Sequence, residues 1–210
     1  QVSLLNRHKA PAEAETRPYF SGQQLKTITH IPGGRALAEY IGFLEEVGGG
    51  TADFWSRLAA VELRAIQSSH LDFGLGLFPS ARGYTRGGHI AAIGEGALTL
   101  DHYLASLLRA FAEQYIDLAR LFDPAQQLRH ILLSGGIARR LPVVREFIAA
   151  ATPYQVSGAT LLDESLLGLR TIALVAAGRA ADVFAAQAIF ARSCALIGAT
   201  TDYTLRNRTL

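Results

Sequence analysis

Methionine is missing from this 210-residue chain, and cysteine and tryptophan occur once each. The lone Cys194 excludes an intrachain disulfide and a cysteine-built zinc cluster, and it fits a reducing, cytoplasmic setting. Lysine is almost as scarce, represented by Lys9 and Lys26. The arginines are scattered and the formal net charge is +2, so no basic block supports nucleic-acid binding. Long apolar runs are lacking too: nothing approaches the length of a membrane span, and no signal-peptide pattern is visible. The six histidines are far apart in sequence and lack the spacing that puts two imidazoles on one helix face, so no metal ligand is predicted. A serine elbow of the G-x-S-x-G type and a Walker loop are likewise absent. Without an initiator methionine, and opening directly in the apolar Val2-Ser3-Leu4-Leu5, the chain reads as a piece of a longer protein.

What is present is a good core former. Half of the residues are hydrophobic and 18% are charged, which excludes a disordered chain. Val2–Leu5, Arg17–Phe20 and Leu25–Ile31 read as short strands of an antiparallel meander. Pro32-Gly33-Gly34 breaks the last of these. A helix follows with Leu37, Ile41, Leu44 and Val47 on one face, and it stops at Gly48-Gly49-Gly50. A second helix, capped by Thr51, carries Phe54, Trp55, Leu58, Val61 and Leu63. Leu75–Pro79 and Ile90–Ile93 read as strands on either side of a polar, glycine-rich loop, Ser80–His89. The clearest helix runs from Thr99, its cap, to Leu121, with a broad apolar face from Leu100 to Leu121 and Asp101 in the first turn. Helices over Glu164–Ala177 and Ala180–Leu196, rich in alanine and apolar residues, are expected to be buried or to pack closely on neighbours, and the tail after Thr200 loose.

The stretch with most chemical content is His130-Ile131-Leu132-Leu133-Ser134-Gly135-Gly136-Ile137-Ala138-Arg139-Arg140-Leu141-Pro142-Val143-Val144. It reads as a buried strand that turns on Gly135-Gly136 into a helix with apolar positions at Leu141, Val144, Phe147 and Ile148. Tyr154–Val156 then supplies a strand parallel to the first, a strand–helix–strand unit. Two glycines beside a helix start leave a backbone face without Cβ atoms, suited to a flat, phosphorylated ligand. The plain alternative is that Gly135 and Gly136 only make the turn.

Four segments, Thr29-His30-Ile31-Pro32-Gly33-Gly34-Arg35-Ala36-Leu37, the long helix from Thr99, Leu133-Ser134-Gly135-Gly136-Ile137-Ala138-Arg139, and Asp163-Glu164 with Gly168, come in an order that resembles the C-terminal domain of FGGY carbohydrate kinases. The first is similar to the sedoheptulokinase-like branch. The resemblance covers nearly all of residues 1–210. It implies an α/β actin-like (ribonuclease H-like) ATPase domain, a mixed sheet with helices on both faces. The implied activity is ATP- and Mg2+-dependent phosphorylation of a sugar hydroxyl, a ketose such as sedoheptulose being favoured. On the same basis Ser134, Gly135 and Gly136 lie against adenine, and Ala38 and Gly42 approach the nucleotide from the first helix. Arg140 stands where many members carry asparagine. Glu164 and Gly168 match a Glu-x-x-x-Gly helix near the hinge, with Leu166 and Leu167 where alanines are common. Gln1 falls on the sugar side of the cleft. The phosphate turn and the catalytic aspartate fall upstream of Gln1, so the piece alone is expected to be inactive. The implied partners are the sugar and the N-terminal domain of the same protein; a homodimer stays open.

Two other readings remain. Gly135-Gly136 followed by Arg139, Pro142 and Val144, with a shift of one at the proline, also resembles the nucleotide turn of heat-shock-70-type chaperones, which implies a nucleotide-gated binding module. A degenerate, non-catalytic sugar-kinase homologue is the other, suggested by Arg140, Leu166 and Leu167.

Overall fold

A computed structural model describes residues 2–5, 11–50, 52–78, 87–159 and 164–196. The chain divides into two units, 1–158 and 159–210. The first unit is built on one long helix, α4 (Leu100–Phe122). Thr99 caps it through its side-chain oxygen, which accepts the His102 backbone N–H at 3.3 Å, as its position before the apolar stripe predicts. Leu104, Leu107, Leu108, Phe111 and Ala112 are all but fully buried. They meet Leu37 and Ile41 of α1 (Gly34–Val47), Leu58 of α2 (Phe54–Ala59), Ile66 of α3 (Leu63–Ser68) and Val144 and Ile148 of α6 (Pro142–Ala151) in one continuous core.

The antiparallel opening is present with a different strand order. β1 (Val2–Leu5) and β2 (Glu15–Pro18) both pair with β3 (Gln24–Ile28), so β3 is central and β1 and β2 are not neighbours. A simple meander would have put β2 in the middle. Thr27 is fully buried on β3, its hydroxyl bonded to Ser3 Oγ at 2.8 Å. Ile28 packs with Leu118 and Phe122 at the end of α4.

Several boundaries shift for local reasons. α1 ends at the glycine triplet, where Gly49 and Gly50 take positive φ angles of 70° and 72° and the Gly50 N–H closes on Glu45 O at 2.8 Å. Val47 is 71% exposed, so the apolar face of α1 ends before it. The expected second helix is two short ones, α2 and α3, and the cap of α2 is Asp53, which accepts the Ser56 N–H at 2.9 Å; Thr51 lies outside the described residues. The strands near 75 and 90 are β4 (Asp72–Gly74) and β5 (His89–Ala91), antiparallel, with their ladder ending at Gly74–His89. Most of the loop from Ser80 lies outside the described residues.

β6 (His130–Leu133) runs parallel to β7 (Gln155–Gly158), as the strand–helix–strand spacing predicts. The intervening helix is broken in two, α5 (Gly136–Arg140) and α6. Pro142 lacks an N–H and forces the residue before it out of helical geometry; Leu141 has φ −120° and ψ 69°. β6 is not the buried strand its composition suggests: Ile131 and Leu133 pack on the core, whereas His130 and Leu132 face solvent. Among the described residues the strands form three separate sheets of three, two and two strands rather than one mixed sheet flanked by helices on both faces. The architecture is therefore mixed α/β with small sheets.

The second unit carries α7 (Glu164–Ala176) and α8 (Val183–Leu196), which pack together. Asp182 accepts the Ala185 N–H at 2.8 Å, which starts α8 a few residues later than expected. Thr171, Val183 and Ala186 are buried, whereas Leu166, Leu169, Ile172, Phe184 and Ile189 are exposed, so of the two expected outcomes it is close packing on a neighbour, not full burial, that is found. Among the described residues no helix is long and apolar enough to cross a membrane.

Candidate functional site

The Ser134-Gly135-Gly136 turn sits at the carboxyl end of β6. Gly135 is the N-cap of α5 with φ +95° and ψ 171°, a conformation that a side chain resists. Gly136 opens α5 and is exposed, as is Ser134. A Cβ built on Gly135 or Gly136 meets no atom within 4 Å. The turn therefore has open space on its Cβ side.

A second glycine pair reaches the same place. Pro32-Gly33-Gly34 leads into α1, and Gly33 is its N-cap. A Cβ built on Gly34 would lie 3.0 Å from Ile137 Cγ1 and 3.2 Å from Ile137 Cδ1. Two segments more than a hundred residues apart in sequence are thus in close contact, with glycine at the crossing because nothing larger fits without displacing Ile137. α4 fixes the approach: Gln114 Nε2 donates to Pro32 O at 2.8 Å and to Phe111 O at 3.1 Å. The surroundings are cationic. Neither α1 nor α5 has an acidic residue in its first turn. Arg35 follows Gly34, its guanidinium 4.1 Å from the centre of the Phe78 ring, and Arg139 and Arg140 close α5.

Ala38 is exposed on α1, and Gly42, one turn further on, has open space where a Cβ would be. Both lie on the helix that begins at the Gly34–Ile137 contact. Arg140 is exposed at the last position of α5. Gln1 lies outside the described residues. Glu164 begins α7 in the second unit, where Gly168 also has open space for a Cβ, Leu166 is 63% exposed and Leu167 is half-buried.

Beside Gly135 and Gly136 there is open space on the Cβ side. Among the described residues no group of three His, Cys, Asp or Glu is placed to hold a metal ion. Two hollows among the described residues lie elsewhere, along α4 and α6. One is lined by Gln67, Arg109, Glu113, Phe147, Ala150 and Ala151, and the other shares Glu113, Phe147 and Ala151. Each holds about 180 Å³, below the roughly 300–1,000 Å³ of small-molecule sites, and the Arg109–Glu113 and Arg120–Asp117 charges on them are already paired. They make poor ligand sites.

Sequence reasoning missed three features. Gln114 was readable as the polar residue within the apolar stripe of α4, between Phe111 and Leu118. The Gly34–Ile137 crossing had no sequence signal beyond two glycine pairs. His70 and His102 were read as separate, but their rings are 4.2 Å apart. His102 Nε2 accepts the His70 backbone N–H at 3.4 Å, and burial, with the neighbouring His70, holds its pKa below the usual imidazole value. Ser106 Oγ accepts the Leu71 N–H at 3.3 Å and Arg109 donates to Ser69 O, so three successive turns of α4 grip one connector.

Compared with protein-family models, curated proteins and solved structures, the chain gives no match.

Proposed function

We propose that this chain is the adenine-binding half of an ATP-dependent carbohydrate kinase, built on an actin-like, ribonuclease H-like domain. The observation that carries the reading is the close approach of Gly34 to Ile137, the residue that follows Gly135-Gly136. Ile-Pro-Gly-Gly and Ser-Gly-Gly-Ile each resemble FGGY segments on their own, and here they touch at Gly34–Ile137, beside a strip of backbone open at Gly135 and Gly136.

In this reading Ser134, Gly135 and Gly136 form the wall under adenine. Ala38 and Gly42 leave room along α1 for the rest of the nucleotide, and Arg140 flanks the base or faces solvent beside it. Bound ATP supplies the γ-phosphoryl group that is transferred to the sugar hydroxyl. Such a transfer depends on alignment and on neutralising charge rather than on covalent chemistry by the protein. The proton of the attacking hydroxyl needs a base within hydrogen-bond reach, and the resemblance assigns that base to residues preceding Gln1, in an N-terminal domain that also selects the sugar. The role of this chain is then to hold adenine at a fixed distance from that base.

The experiment is ADP release from ATP and Mg2+ by the protein that joins this chain to that domain, across a panel of five- to seven-carbon ketoses, aldoses and polyols. Release stimulated by one sugar, strongest for a seven-carbon ketose, is the expected result. Sugar-independent release would favour a chaperone-type ATPase, and nucleotide binding without release a degenerate homologue.

A further inference from the structure

We draw no further inference here: the strongest candidate, the exposed apolar surface of the α7–α8 pair at Leu169, Ile172 and Phe184, carries nothing because nothing in the structure shows what covers it.

Discussion

Gly135 shows how a single residue can hold the site and cost the fold little. At φ +95° any L-residue is strained, although no atom lies within 4 Å of the missing Cβ. Gly135→Ala therefore destabilises by about 1–2 kcal/mol through backbone strain alone. Chemical denaturation reads that loss, and an unchanged midpoint would mean that the turn relaxes. Tyr103 is the opposite case. Its ring meets Phe73 edge-on at 4.8 Å, but its buried hydroxyl has no hydrogen-bond partner among the described residues, and burial pushes its pKa up to about 12. Nothing is lost with the oxygen. Tyr103→Phe leaves stability unchanged or raises it by up to about 1 kcal/mol, and a loss larger than that would reveal a partner.

α4 is the element to which most others are tied, and its grip on the 69–71 connector makes the fold sensitive to pH. Neutral His102 accepts the His70 N–H; the imidazolium has no lone pair to do so. The ionisable group against it is His70, its ring 4.2 Å away. Because the folded pKa lies below the unfolded value of 6.5, the unfolded chain takes up the proton first as pH falls. The stabilisation is complete above pH 6.5 and is lost as pH drops through the folded value. Thermal unfolding between pH 7.5 and pH 5 should show a falling midpoint, flattened in His102→Gln; equal slopes in both proteins would remove His102 as the cause.

Elements with a strong local signal were legible in the sequence. The α4 cap, the glycine stop of α1, the strand–helix–strand pairing of β6 and β7 and the φ-demanding turn at Gly135 all follow from residues close together in the chain. What was not legible depended on distant partners. The central place of β3 goes with the burial of Thr27 and Ile28 on it, and the exposure of Leu132 on β6 depends on what packs against that strand from elsewhere in the chain. Pro142 was visible, yet its effect of splitting one helix into two was not drawn from it. For the site, the sequence marked both glycine pairs but could not say that Gly34 lies against Ile137. That contact depends on how α1 and α5 are carried by α4 and β6.

Taken as a whole molecule, the account stands on one claim: that the open backbone at Gly135-Gly136 receives adenine. Gly136 is the position to test, since it has room for a Cβ and no positive φ, so Gly136→Val should fold. Calorimetric titration of ATP and ADP into the wild-type chain and this variant is the most direct measurement. The account predicts saturable binding by wild type and an affinity lower by about tenfold or more in Gly136→Val, about 1.4 kcal/mol, at matched thermal stability. Equal affinity in the two proteins, or no binding by wild type at millimolar nucleotide, would contradict it.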